Sequence, residues 1–336
     1  MIIGHHDTAK VPLLIAEIGN NHEGSFDVAC ELVERAAECG VGAVKFQAFR
    51  PDYYVSRNDV ARYARLKSFE LTIDQFNRLG ELARSLGLLY VMTPFDVEIA
   101  RTLAPTVDAL KIASGDNDFW PLIDEVCRAD KPLIVSTGLL NLSETKRLAY
   151  YLRNRRAVLK HADDVALLHC ACAYPVPTEE ANLMAIVSMQ QTLPCEIGYS
   201  DHTMGPEAVL AAVALGATIV EKHFTLSKAY SDFRDHQLAA DPNEMRIIAA
   251  SLPLFSQLRG CGLKQITPSE QDNLSLVRRA IVAATDLPTG HRITAEDLTW
   301  IRATRGFVPG EEDKLIGREL LHPMSFGEPF KYGDLR

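Results

Sequence analysis

No apolar run in the 336-residue chain approaches the roughly 20 residues needed to cross a bilayer, so nothing in it reads as a membrane span. The first ten residues, MIIGHHDTAK, lack the apolar centre of a secretory signal. There is no Cys-x-x-Cys pair, and the seven cysteines (Cys30, Cys39, Cys127, Cys170, Cys172, Cys195, Cys261) are odd in number. Both facts argue against a disulfide framework and for reduced thiols in a cytoplasmic protein. Positive charge is also scarce: 35 Lys and Arg stand against 44 Asp and Glu, a net charge of −9. That excludes the basic face a nucleic-acid partner would need, but not a small anion held by a few local lysines. No Gly-x-Gly-x-x-Gly follows the first apolar run, which speaks against a dinucleotide-binding open sheet.

Eight short apolar runs are present instead: LLIAEI (13–18), AVKFQ (43–47), LLYVM (88–92), ALKIA (109–113), PLIVS (132–136), VALLH (165–169), CEIGY (195–199) and TIVEK (218–222). They are nearly continuously apolar, as strands covered on both faces are. Segments of helical period alternate with them. Phe26, Ala29, Leu32, Val33, Ala36 and Ala37 line one face of 26–37. Thr72 and Gln75 form a capping-box start for a helix over 73–86, and Ser143 is a candidate N-cap further on. Gly40 and Gly87 stand where helices should stop. Eight βα repeats over about 250 residues predict a TIM (β/α)8 barrel, with a doubly wound sheet as the alternative. The pattern then changes. Residues 1–260 read as the barrel and 261–276 as a polar, turn-rich linker. Residues 277–336 read as a small, mainly-β module with turns at Pro288–Gly290, Pro309–Gly310 and Phe326–Gly327. Some 60 residues are marginal alone, so packing on the barrel or on a second subunit is expected.

In such a barrel the chemistry gathers where the strands end. There the chain places Glu17, Lys45, Gln47, Thr93, Lys111, Ser114, Asp116, Ser136, His169, Tyr174, Ser200, Asp201, His202, Lys222 and His223. Three lysines on strands otherwise made of Val, Ile and Ala are costly unless paired. A bound phosphate, helped by Ser114, Ser136, Ser200 and the backbone near Gly115 and Gly138, explains them together. For any one lysine, a salt bridge to a glutamate is the competing reading. His202 and His223, ending adjacent strands, suit a divalent ion with open positions, although two hydrogen-bonded core histidines would fit the spacing too. On an oxygen-rich rim the ion would be Mn²⁺ or a similar one. Glu17 and Asp116 are candidates for moving protons. The His169–Cys170–Cys172 cluster has no second half for a zinc site.

The ordered set EIGNNHEG, AVKFQAF, TPFD, KIASGD, VSTG, LLHCACAYPVP, IGYSDHTMG and VEKHFTL resembles the sialic acid (N-acetylneuraminate) synthase family. The tail RRAIVAATDLPTGHRITAEDLTWIR resembles that family's C-terminal SAF, or antifreeze-like, domain. The resemblance spans essentially the whole chain. It implies condensation of phosphoenolpyruvate (PEP) with an open-chain 2-acetamido hexose, giving a nonulosonic acid and phosphate. C3 of PEP attacks the aldehyde, whose oxygen a metal polarises. Water then adds at C2 and phosphate leaves by C–O cleavage.

Carried over by motif, His202 and His223 would ligate the metal, expected to be Mn²⁺ with Mg²⁺ or Co²⁺ as alternatives. Lys45, Thr93, Lys111, Ser114, Ser136, Ser200 and Lys222 would hold PEP. Glu17, Gln47, Tyr174 and Asp235 would meet the sugar or the reacting water, with Glu17 and Asp116 as catalytic groups. Arg302 would reach the partner subunit's site and contact the acetamido group, which implies a domain-swapped homodimer. Three departures stand out: Asp116 where the family has Glu, Cys172 where many members have Asn, and DFR before Asp235 in place of Gly-Pro, with Ala239 for Ser. They leave a modified hexose, as in legionaminic or pseudaminic acid synthases, in view. The alternatives are a synthase for a phosphorylated aldose, disfavoured by few extra basic residues for a second phosphate, and a catalytically inactive sugar-binding homologue.

Overall fold

The computed structural model describes residues 1–304 and 306–336. They fall into two compact units, Met1–Cys261 and Gly262–Arg336.

In the first unit, eight strands close into a parallel barrel: β1 (Leu13–Gly19), β2 (Ala43–Ala48), β3 (Leu89–Pro94), β4 (Ala109–Ile112), β5 (Leu133–Ser136), β6 (Val165–Cys170), β7 (Glu196–Asp201) and β8 (Ile219–His223). Each pairs with the next, and β8 returns to β1 with Ile219 opposite Leu13 and His223 opposite Glu17. The eight expected runs are these eight strands, so the TIM barrel holds. Main helices follow each strand: α1 (Phe26–Glu38), α2 (Ile73–Ser85), α3 (Val97–Leu103), α4 (Trp120–Arg128), α5 (Leu142–Ala157), α6 (Met184–Thr192), α7 (Glu207–Ala214) and α8 (Pro242–Arg259).

Local chemistry starts and stops these helices. Thr72 and Gln75 make the expected capping box on α2. On α5 the N-cap is Asn141, boxed with Glu144, rather than Ser143; Asn is as good a cap as Ser, and Glu144 sits at the third helical position from Asn141. Asp96 caps α3 while its carboxylate holds Arg50 at 2.7 and 3.0 Å. Gly40 and Gly87 take φ of +83° and +78°, the left-handed turn that ends a helix.

Side-chain alternation divides the barrel into two cores. Leu13, Ile15, Ala43, Leu89, Val91, Ala109, Ile134, Ala166, Leu168 and Ile219 fill the interior, joined by Ile3 from a short N-terminal hairpin. Their neighbours, among them Leu14, Val44, Phe46, Tyr90 and Val220, pack outward against the helices. An additional helix, Val60–Phe69, rises from the β2–α2 connection, and a short one, Arg234–Leu238, from the connection after β8. No helix among the described residues is long and apolar enough to cross a membrane.

The second unit carries its own core of Ile281, Leu287, Ile293, Leu298, Phe307, Leu315, Leu320, Met324 and Phe330. Its strands β9 (Arg279–Ala283) and β10 (Leu298–Arg302) pair antiparallel. The stretch expected to be a linker holds all but the last residue of a ten-residue helix, α9 (Pro268–Val277), opened by a Thr267–Glu270 capping box. Its composition hid it, because most of the helix is exposed and no apolar stripe marks a buried face.

Candidate active site

The interior alternation decides what reaches the C-terminal mouth of the barrel. Continuing each inward row past the apolar layer brings in Glu17, Lys45, Gln47, Thr93, Lys111, Ser136, Cys170, Ser200, Glu221 and His223, and all of them line one cavity of about 1000 Å³. At its centre, Lys45 Nζ lies 2.8 Å from Glu17 and 3.5 Å from Glu221, and donates to Thr93 Oγ1 at 3.0 Å. Lys111 Nζ donates to Ser136 Oγ at 2.6 Å and stands 3.8 Å from Glu221. Ser200 donates to Glu221 at 3.1 Å, and Gln47 to Glu17 at 2.7 Å.

Burial and charge tune these groups against one another. Burial pushes the Glu17 carboxyl up, and Lys45 only partly offsets it. Burial would raise Glu221 as well, but Lys111 and Lys45 together hold it well below the usual carboxylate range. Lys45 overcomes its own burial through Glu17 and Glu221 and is held up, whereas burial lowers Lys111. The cluster thus keeps one firm cation, one weaker cation and two unequal carboxylates in a nearly dry setting.

Beside it, Ser114 accepts the Gly138 N–H at 3.0 Å. A Cβ on Gly138 would come within 2.7 Å of both Cys172 Sγ and Ser114 Oγ, so only glycine fits there. Asp116 follows on a short 3-10 turn. Burial, with help from the charge of Asp118, raises its carboxyl from 3.8 to about 6.

His202 and His223 stand with ring centroids 5.4 Å apart, and Tyr174 lies over His202 at 4.2 Å. His202 Nδ1 pairs with the Ala171 carbonyl at 2.8 Å, which fixes the ring and leaves Nε2 free. His223 Nδ1 is buried with no hydrogen-bond partner, and burial lowers this ring to about 3, so it stays neutral. Asp235, also lining the cavity, has a buried Oδ1 that makes no hydrogen bond and lies 3.5 Å from Arg234 Nε. No group of three or more His, Cys, Asp or Glu is arranged to hold a metal among the described residues. Two imidazoles, one oriented by a carbonyl and the other with an orphaned nitrogen, fit a divalent ion that draws its remaining ligands from water and substrate.

Similarity to known proteins bears on this geometry. Residues 32–264 match the model of the NeuB family, and 278–336 match that of the SAF domain. The chain belongs to the NeuB family. The chain is 38% identical over 323 residues to an uncharacterised protein of Methanocaldococcus jannaschii, covering 96% of this chain and 94% of that one. It is 34% identical to the N,N'-diacetyllegionaminic acid synthase of Legionella pneumophila, covering 94% and 92%. Among solved structures it resembles the N-acetylneuraminic acid (sialic acid) synthetase of Leptospira borgpetersenii bound to citrate. That match has a TM-score of 0.74 and 30% identity, over 82% of this chain and 94% of that one. The expected family and its two-part architecture therefore stand.

Against the residues carried over by the family resemblance, the structure gathers Glu17, Lys45, Gln47, Thr93, Lys111, Ser114, Asp116, Ser136, Tyr174, Ser200, His202, His223 and Asp235 around the one cavity. Lys222 is a correction. Lying between two inward residues, it must point outward; it is fully buried behind the barrel wall, 2.6 Å from Asp201 and donating to the Thr203 carbonyl. Its charge is already matched, and it does not line the cavity. Arg302 lies exposed on β10 of the second unit. Glu221 is the inward residue left out of the expected substrate set, although strict alternation from His223 would have found it. Arg62, Arg65, Phe69, Phe233 and Arg234 also line the mouth, from helices and loops whose sequences carry no strand signal. Three arginines there run against the expected shortage of extra basic residues for a second phosphate.

Replacing Glu221 with Ala should destabilise the fold by about 3 kcal/mol, because it leaves buried Lys111 without its carboxylate; urea unfolding measures this, and an unchanged midpoint would refute the pairing. For Asp116 the raised pKa means that the folded state holds the proton more tightly than the unfolded chain does. Its contribution to stability is therefore lost as pH rises from about 4 through about 6. Asp116→Asn should unfold at a higher temperature than wild type at pH 7.5, with the gap closing toward pH 4. A gap that stays constant with pH would contradict the assignment.

Proposed function

We propose that this protein condenses PEP with an open-chain 2-acetamido hexose, N-acetylmannosamine or a modified relative, to give a nonulosonic acid and inorganic phosphate. The coarse class is that of the NeuB family: a PEP-dependent synthase that forms a C–C bond and releases phosphate. One observation supports the finer reading above all others. A single cavity joins a buried Lys45–Lys111–serine floor, suited to a phosphorylated carboxylate, to a two-histidine corner and a polar, aromatic outer end.

In this reading Lys45 and Lys111 oppose the charges of PEP, while Ser114, Ser136 and Ser200 supply hydroxyls to its oxygens. Thr93 acts on PEP through Lys45, to which it is bonded. Glu17, raised by burial and oriented by Gln47, holds or moves the proton exchanged when water adds. His202 and His223 would hold a divalent ion, Mn²⁺ being the best match to mixed nitrogen and oxygen ligands, which supplies Lewis-acid polarisation of the aldehyde oxygen. Tyr174, Asp235 and the aromatic wall receive the sugar. A cytoplasmic setting agrees with all seven cysteines being free.

A second acceptor class has its own support. Arg62 and Arg65 line the mouth and have no acidic partner within salt-bridge distance among the described residues. They would suit a hexose that carries a phosphate at its far end, and an N-acetylneuraminate-9-phosphate synthase of Homo sapiens is 29% identical to this chain.

The test is phosphate release from PEP with Mn²⁺ and a panel of 2-acetamido hexoses, diacetamido hexoses and their 6-phosphates, with and without chelator. Turnover with at least one sugar is expected, lost on chelation and in His202→Ala and His223→Ala. Undiminished metal-dependent turnover in either variant would remove the metal assignment. PEP binding without turnover on any sugar would favour an inactive sugar-binding homologue.

Arg302 carries the further proposal of a homodimer in which each small domain completes the partner's site. Arg302→Ala and His202→Ala, each inactive alone, should recover about a quarter of wild-type activity when mixed and allowed to exchange subunits, as random pairing of two-fold dimers requires. No recovery after demonstrated exchange would reject the shared site.

A further inference from the structure

The connection after β8 carries Asp232, Phe233, Arg234 and Asp235 into the outer end of the cavity. A loop bearing that many site residues needs something to hold it. It is not held by its own short helix, which spans only Arg234–Leu238. Next to Asp235, however, His236 turns the other way and is 1% exposed. Its Nε2 lies 3.0 Å from Glu23 Oε1, and its Nδ1 lies 2.6 Å from Thr225 Oγ1. A carboxylate only accepts, so Nε2–H donates to Glu23, and Nδ1 faces the Thr225 hydroxyl. Ser231 donates to the same Glu23 oxygen, and the Phe233 N–H donates to Ser231 at 3.0 Å.

Glu23 comes from the opposite side of the ring closure, in the loop after β1, with φ +46°. A non-glycine residue in that region is uncommon and persists when its surroundings fix it. The next residue, Gly24, has no room for a Cβ, which would meet the Ser68 carbonyl at 2.0 Å. Ser68 and Phe69 end the additional helix over the mouth. Phe69 in turn packs edge-on against Phe233 at 5.3 Å, and Phe233 lies against His236 at 6.0 Å. His236 is therefore the joint at which three rim segments meet: the β1 loop, the end of the 60–69 helix, and the loop after β8.

We propose that His236, clamped between Glu23 and Thr225, is a positioning residue that fixes Asp235 and Arg234 at the sugar end of the cavity. It touches no reacting atom. It acts through the loop, and the inference rests on the reading that the acceptor sugar occupies that end. Asp235 Oδ1 makes no hydrogen bond there and lies 3.5 Å from its neighbour Arg234 Nε, so the loop's anchorage comes from behind, through His236, rather than through this carboxylate.

The test compares Glu23→Ala, Glu23→Gln and His236→Ala with the wild-type, full-length enzyme. Loss of one partly buried, charge-assisted hydrogen bond should raise the sugar KM about tenfold in Glu23→Ala and His236→Ala. The PEP dissociation constant, measured by calorimetry, should stay within about twofold. Glu23→Gln, which still offers an amide oxygen to the His236 N–H, should recover most of the loss. Hydrogen exchange should rise in 226–238 in the Ala variants without rising in the barrel strands. Unchanged exchange in 226–238 in both Ala variants would overturn the clamp. So would an equal weakening of PEP and sugar accompanied by faster exchange throughout the barrel, since that marks a general structural role. If the wild type turns over no sugar, the functional reading fails while the exchange comparison still decides the clamp.

Discussion

Everything at the mouth of this barrel depends on four buried charges that cannot leave one another. Lys45, Lys111, Glu17 and Glu221 stand on β2, β4, β1 and β8, almost without water, and each is tolerable only because of the others. Removing a strand's worth of register from any of these elements would strand a charge in an apolar interior. The requirement to neutralise the cluster therefore fixes the barrel's closure as firmly as its Val, Ile and Leu layers do. It also sets the electrostatics of the site, since two carboxylates at unequal proton affinities flank the lysine on which an anionic substrate would rest.

Much of this was legible in the chain. Continuous apolar runs mark all eight strands, and polar residues at the C-terminal ends of most of them line the cavity. The Lys222 error has a plain cause: composition locates a run, but only the two-residue alternation within it says which side chains face inward. In VEKH, His223 and Glu221 lie on one face and Lys222 on the other. Counting back from the histidine exchanges Lys222 for Glu221. Ser143 lost to Asn141 because both are good caps and only the Glu three places on distinguishes them.

Other features left no such trace. Phe69, Phe233 and Arg62 reach the mouth from connections whose position over the cavity is set by tertiary contacts. The Glu23–His236 pairing joins residues 213 apart in sequence, and no local pattern announces a contact of that kind. The helix over 268–277 hides in a polar composition because nearly all of it faces solvent. Periodicity reports burial, so elements that bury little are silent.

The outward Lys222–Asp201 pair has a consequence for how variants of this protein are interpreted. Lys222 also donates to the carbonyl of Thr203, the residue after His202, so an ammonium in the strand–helix layer anchors the chain beside one of the two imidazoles. Damage behind the wall is thereby transmitted to its front. A kinetic defect in a Lys222 variant would look like a lost substrate contact, although no substrate can reach that nitrogen. In this barrel, proximity in sequence to the chemistry and contact with the chemistry are different properties, separated by the thickness of one strand.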